Sequence, residues 1–259
     1  ELREKQYIEE MNQSKLRFFT NISHEIRTPI TLILGQVDLL LNSGRLSTYA
    51  YSKLLNIHKN AGNLKNLITE LLDFRKQEQG LLKLKISQFD LYSLLKEHYL
   101  LFKELAANRN ISFTLRADCE QCMIWGDRLQ LQKVVNNLLS NAFKFTPDGG
   151  TVTIRLQDHT GYITLSVEDN GKGIPRENIA SVFDQFFTGD QNYITGTGIG
   201  LHLTQEFVSM HKGHIDVQST PGKLTVFTVE LPKGKSHFDE TCTFAPSVTE
   251  LSSGVAELD

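Results

Sequence analysis

The chain has 259 residues, a formal net charge of −3, and a composition 40% hydrophobic and 22% charged, as expected of a globular protein of one or two domains. Six prolines and eighteen glycines exclude collagen-like and proline-rich classes, the mild acidity argues against a nucleic-acid binder, and no apolar run approaches the roughly 20 residues of a membrane helix. Glu1–Lys5 lacks the apolar core of a secretory signal, and three cysteines cannot all pair within one chain, so a reducing compartment is expected rather than a disulfide framework.

In chain order, the first 83 residues are predicted to be helical. Apolar residues at 22, 26, 30, 33, 37 and 40 form one helical stripe that ends at Asn42-Ser43-Gly44, where Gly44 is a natural cap. Ser47 or Thr48 caps a second helix whose stripe is Leu54, Ile57, Ala61, Leu64, Ile68 and Leu71, the alternating spacing of a coiled-coil seam. Two such helices joined by a short loop make an antiparallel hairpin too thin to bury both stripes. Residues 1–83 are therefore expected to dimerise into a four-helix bundle.

Beyond this the pattern mixes. Lys83–Phe89 alternates as a strand, Asp90 caps a helix to about Ala107, and Ile111–Ala117 and Met123–Trp125 are strands. Asp127 caps a helix to Phe145, Pro147–Gly150 is a turn, and Thr151–Gln157 and Tyr162–Glu168 form a hairpin of strands. A glycine-rich stretch precedes a helix at about Gly200–His211, and strands Ile215–Gln218 and Leu224–Leu231 close an α+β domain over residues 84–234. Residues 235–259 lack periodicity and are expected to be a tail or linker. Cys119-x-x-Cys122 matches half of a zinc or redox motif, but it precedes a strand and has no second pair, so neither role is assigned to it.

Three clusters carry chemistry. His24 lies two residues, about 200°, from Ile22 and so points away from the apolar stripe; Glu25 is beside it and Pro29 interrupts the same helix, a locally costly arrangement of the kind that marks function. Asn137, Asn141 and Lys144 share one helix face, where two neutral amide oxygens suit a magnesium ion whose charge is met by phosphates and Lys144 adds a positive charge. Asp169-Asn-Gly171-Lys-Gly173 follows a strand, placing a carboxylate where it can accept from the amino group of a flat ligand. Gly196-Thr197-Gly198-Ile199-Gly200-Leu201 opens a helix, a phosphate-binding arrangement that is neither a dinucleotide fingerprint nor a P-loop.

Together these stretches resemble the boxes of sensor histidine kinases, in the family's order. Residues 18–29 resemble the phosphoacceptor box, 137–147 the asparagine box, 169–173 the first glycine box, 182–187 the phenylalanine box and 196–201 the second glycine box. The resemblance spans about residues 10–232, and the phosphoacceptor box most resembles that of hybrid two-component sensors. It implies an α+β chain in which residues 1–83 form a dimerising, phosphoacceptor helical hairpin and residues 84–234 an ATP-binding α/β sandwich with a mixed sheet. It implies His24 as phosphoacceptor, Glu25 as its acid/base partner, Thr28 as an aid to dephosphorylating the partner regulator, and Asn137 and Asn141 as magnesium ligands. Lys144, Phe145, Asp169, Gly171, Gly173, Gly196, Thr197, Gly198, Gly200 and Leu201 would contact ATP, with Asp169 on the adenine amino group and the later glycines along the triphosphate. Thr188 stands where many relatives carry an Arg or Lys that reaches phosphate, which leaves Lys144 as the expected cation.

The implied function is ATP- and Mg2+-dependent autophosphorylation of His24 and transfer to an aspartate on a receiver domain, in trans or in an absent part of a hybrid chain. The implied location is the cytoplasmic portion of an inner-membrane sensor. Two alternatives are an ATPase of the same superfamily without histidine transfer and a non-catalytic dimeric scaffold.

Overall fold

The computed structural model describes residues 26, 28–42, 46–188, 198–239 and 242–244. It divides into two compact units, Glu1–Leu82 and Lys83–Asp259. His24, Glu25, Gly44, Gly196 and Thr197 lie outside the described residues. Among the described residues no helix is long and apolar enough to cross a membrane.

The first unit contains helix α1 (residues 26 and 28–41 of those described) and helix α2 (Thr48–Glu78). Ser47 caps α2 by accepting from Ala50 N at 3.3 Å. His58 Nε2 lies 3.1 Å from Asp38 Oδ1, linking the two helices. The sequence places each apolar stripe in one seam, but the structure splits both. On α1, Ile30 and Val37 are buried, whereas Ile26, Ile33 and Leu40, seven residues apart, are 39%, 47% and 47% exposed. On α2, Ile68 is buried while Ile57 and Leu64, also seven apart, are exposed. The reason is geometric: alternating steps of three and four define two edges of a stripe, and one neighbouring helix covers only one of them.

The second unit is an α+β sandwich. Its strands and helices are β1 (Lys85–Asp90), α3 (Leu91–Asn108), β2 (Ser112–Ala117), β3 (Met123–Gly126), α4 (Arg128–Phe145), β4 (Thr151–Asp158), β5 (Tyr162–Asp169), α5 (Gly200–Met210), β6 (His214–Thr220), β7 (Leu224–Pro232) and β8 (Thr243–Phe244). A 3-10 stretch, Arg176–Ser181, lies between β5 and α5. A five-stranded mixed sheet has the order β2-β4-β5-β7-β6; β2 and β4 run parallel and the other pairs antiparallel. Helix α3 packs on β2, α4 on β5 and α5 on β6, with α4 between the other two helices. The core between them holds Val152, Ile154, Leu165, Val167 and Val229 from the sheet and Leu138, Leu139, Leu203 and Phe207 from the helices, all buried. Alternation along the strands and an apolar stripe on each helix place these side chains in one layer.

The two aspartates expected as caps do that and more. Asp90 accepts from Tyr92 N and Ser93 N at the start of α3 and from Cys122 N at 2.7 Å. Asp127 accepts from Leu129 N and Gln130 N at the start of α4, and from Lys85 N at 2.9 Å, which ties α4 to β1. His211 is buried; Nε2 accepts from Asp127 N at 2.9 Å and Nδ1 donates to Phe207 O. Burial of the ring holds its pKa below the ordinary value. Cys119, Cys122 and Cys242 are free, and burial raises the thiol pKa of both Cys119 and Cys122, keeping them protonated. Among the described residues no cluster of three or more His, Cys, Asp or Glu is arranged to hold a metal.

The stretch expected to be a tail is in part built into the fold. A second sheet has the order β3-β1-β8, with Thr243 and Phe244 parallel to Lys85 and Ile86 and Thr243 N donating to Leu84 O at 3.0 Å. Lys235 lies 5.3 Å from the Trp125 ring centroid, and Phe238 meets His211 edge-on at 6.1 Å. A two-residue strand has no periodicity of its own; the open edge of β1 supplies the order.

Candidate functional site

The site is built around α4. Asn137, Asn141 and Lys144 lie on one face of it, near its C-terminal end, but the two amides are not equivalent. Asn137 Nδ2 donates to Thr204 Oγ1 at 2.8 Å, and that hydroxyl donates to Gly200 O at 2.9 Å. A Cβ at position 200 would sit 2.6 Å from Asn137 Oδ1. Asn137 Nδ2 is therefore engaged in joining α4 to the first turn of α5, which leaves its Oδ1 as the atom that could face a metal. Asn141 is half-buried, and its side chain has no hydrogen-bond partner among the described residues.

At the end of α4 the Phe145 ring is 37% exposed, with Lys144 Nζ 4.8 Å and Lys172 Nζ 4.9 Å from its centroid. Burial, and then the charge of Lys172, hold the Lys144 pKa below the ordinary lysine value. A cavity of about 460 Å³ is lined by both lysines, Arg109, Phe145, Asn170 and Gly222, among others, and by no carboxylate. Lys172 escaped the sequence reading, although it sits within the Asp169–Gly173 motif. Thr204 escaped it too, being legible only as a hydroxyl one turn after Gly200.

Asp169 ends β5, paired across the sheet with Val152 on one side and Thr225 on the other. It is 6% exposed, and its Oδ1 accepts from Gly171 N at 2.9 Å. Burial pushes its pKa up to about 6, partly offset by that hydrogen bond. Gly171 lies under the end of α4: a Cβ there would stand 2.4 Å from Phe145 O. Gly173 has φ +73°, and a Cβ there would meet Pro221 Cα at 2.6 Å. Before α5, Phe186 N donates to Gly198 O at 3.0 Å; both residues have positive φ, and the Phe186 side chain is 60% exposed. His202, one residue after the half-buried Leu201, bonds through Nδ1 to Phe183 O at 3.2 Å.

The structure thus brings Asn137, Asn141, Lys144 and Phe145 together with Asp169 and Gly171 on one side and Gly198, Gly200 and Leu201 on the other. Thr188 is half-buried. Thr28, in the first unit, is helical and exposed.

Two family models match the chain in succession. Residues 14–80 match the His Kinase A (phospho-acceptor) domain, and residues 126–235 match the histidine kinase-, DNA gyrase B-, and HSP90-like ATPase. A phosphoacceptor helical domain followed by an ATPase domain of this kind defines the class, and the chain belongs to the histidine kinases, of which it is a catalytic core. It is 39% identical over 244 residues to histidine kinase P4 of Formosa agariphila, a match that covers 92% of this chain and 18% of that protein. Among solved structures, it resembles full-length ShkA in complex with AMPPNP, at a TM-score of 0.70 and 25% identity over 85% of this chain and 46% of that one. It also resembles histidine kinase ThkA in complex with the response regulator protein TrrA, at a TM-score of 0.58 and 27% identity over 89% of this chain and 66% of that one. The chain spans between 15% and 24% of the length of the first curated relatives it matches.

Proposed function

We propose that the chain binds ATP in its second unit, transfers the γ-phosphoryl group to His24, and passes it on to an aspartate of a response-regulator receiver domain. The observation that carries this reading is the buried Asp169, whose Oδ1 is fixed by Gly171 N beside Phe145 and two lysines: a polar receptor at the end of a strand, next to an aromatic face and a cation pair. That combination suits a purine with an exocyclic amino group and a polyphosphate. The match of residues 14–80 to a phosphoacceptor domain supports His24 as the acceptor.

In this reading Asp169 accepts a hydrogen bond from the adenine amino group, and the Phe145 ring covers the base. The loop ahead of α5, from Gly196 and Thr197 through Gly198 and Gly200 to Leu201, offers backbone N–H groups to phosphate. Lys144 holds the phosphate tail as a positive charge, and its proximity to Lys172 makes an anion between them favourable. Asn141 is the residue suited to hold Mg2+, which when bound neutralises charge on the phosphate oxygens. The neutral His24 imidazole attacks the γ-phosphorus in line, while Glu25 accepts from the other ring nitrogen, fixes its tautomer and stabilises the imidazolium as it forms. Ile26, Ile33 and Leu40 on α1, with Ile57 and Leu64 on α2, form exposed apolar rows that suit a second copy of the hairpin, which supports a homodimer through residues 1–83.

Incubation with γ-labelled ATP tests this reading. Label that is stable to base, labile to acid and lost in His24→Gln is expected, with ATP affinity of the variant unchanged. Phosphate release without protein label would favour an ATPase, and neither label nor release a scaffold.

A further inference from the structure

Arg109, just after α3, reaches across to the end of α4. Its Nε donates to Asp148 Oδ1 at 2.8 Å, one terminal nitrogen donates to Phe143 O, and the other to Thr146 O at 2.8 Å. The two carbonyls flank Lys144 and Phe145 and lie 34 and 37 residues along the chain from the guanidinium. An α-helix leaves its last four carbonyls without helical partners. Here Ala142 O receives Thr146 N at 3.0 Å and the Thr146 hydroxyl at 2.7 Å. Phe145 O receives Lys172 N at 3.3 Å, and Arg109 takes the two carbonyls between and after.

We propose that Arg109 is a positioning residue for nucleotide binding: by holding Phe143 O and Thr146 O together it fixes the final turn of α4, and so the directions of Lys144 and Phe145. The inference rests on the reading of those two residues as nucleotide contacts. Arg109 lines the same cavity, and three of its five N–H groups are held by this chain, two of them by the end of α4, so the guanidinium is fixed against that helix and its assigned role is to act through α4. Only a planar fork can hold two carbonyls three residues apart and a carboxylate at once; a lysine ammonium presents one compact charge and cannot. The Asp148 arm is expendable, because that carboxylate is 72% exposed and an exposed ion pair contributes little.

The test compares Arg109→Lys, Arg109→Ala, Asp148→Asn, Lys144→Ala and Phe145→Ala in the whole chain, by calorimetric titration with ATP and by autophosphorylation kinetics. Arg109→Lys is expected to weaken ATP binding and raise KM for ATP about tenfold, with kcat at saturating ATP within about twofold of the parent. Asp148→Asn should stay within about twofold in both. A merely structural arginine would lower the unfolding midpoint and the active fraction while leaving KM where it is. A parental KM in Arg109→Lys, with KM raised in Lys144→Ala and Phe145→Ala, overturns the positioning role. Parental affinity in both of those variants overturns the site reading beneath it. Arg109→Lys keeps the charge and most of the side-chain volume, so the test stands even where Arg109→Ala does not fold.

Discussion

Replacing Asp169 by Asn should stabilise the nucleotide-free protein at neutral pH while weakening its hold on ATP. Asp169 is 6% exposed, its Oδ1 accepts one backbone N–H, and its pKa is raised from 3.8 to about 6. At 1.36 kcal/mol for each tenfold change in proton affinity, the ionised carboxylate costs the folded state about 3 kcal/mol. Between those two pKa values the folded protein binds more protons than the unfolded one, so stability falls as pH rises through this window and is lowest above it. Asparagine keeps an oxygen for Gly171 N and removes the titration. Urea unfolding can be followed at Trp125, the chain's one tryptophan, which lies on β3 and reports on the second unit. With a slope of about 2 kcal/mol per molar urea, the Asp169→Asn midpoint should exceed the parent's by about 1.5 M at pH 7.5 and by far less at pH 4.5. Over the same range the variant should lose about 1.5–3 kcal/mol of ATP affinity at pH 7.5, the worth of a charge-assisted hydrogen bond. A midpoint difference that does not change with pH, or a parent more stable than the variant at pH 7.5, would refute the assignment of a buried, ionised receptor.

Three further outcomes can be checked. Gly200→Ala should cost about 2 kcal/mol of stability and weaken ATP binding, because its Cβ would stand 2.6 Å from Asn137 Oδ1; adding Asn137→Ala should recover part of that loss in a double-mutant cycle. Leu40→Glu, on the exposed row of α1, should convert a dimer to a monomer at micromolar concentration by light scattering; an unchanged mass would remove that row from the interface. Thr28→Ala should slow dephosphorylation of the phosphorylated regulator several-fold and spare autophosphorylation, since a hydroxyl one turn from His24 can orient water but is too far along the helix to take the ring proton. A parallel fall in both rates would show instead that Thr28 serves the helix backbone around Pro29.

Most strands and helices of the second unit were legible because their ends carry local chemistry: Asp90 and Asp127 announce α3 and α4, and Pro147–Gly150 announces the turn into β4. The Asp169 and glycine motifs were legible as positions, since a carboxylate ending a strand and a glycine run opening a helix need no partner to be noticed. Long-range partnerships were not. Nothing in the neighbourhood of Asn137 reveals that Thr204, 67 residues later, takes its amide, and nothing near Arg109 reveals that its side chain ends another helix. The division of each hairpin stripe into a buried and an exposed edge follows from how many helices surround it, which periodicity does not encode.

The pairing of β8 with β1 has a mechanical consequence. The two strands run parallel, so the chain reaches the pair at one end, at Lys85, and leaves it at the other, at Phe244. A tension applied between those two points loads the shared hydrogen bonds side by side, in shear, rather than peeling them one at a time. It is also carried by this short ladder at the rim before it reaches the five-stranded sheet, where Asp169 and its neighbours sit. Pulling on residues 85 and 244 in a force-extension experiment would therefore release β8 first, as a small separate event, with the sheet that holds Asp169 still folded.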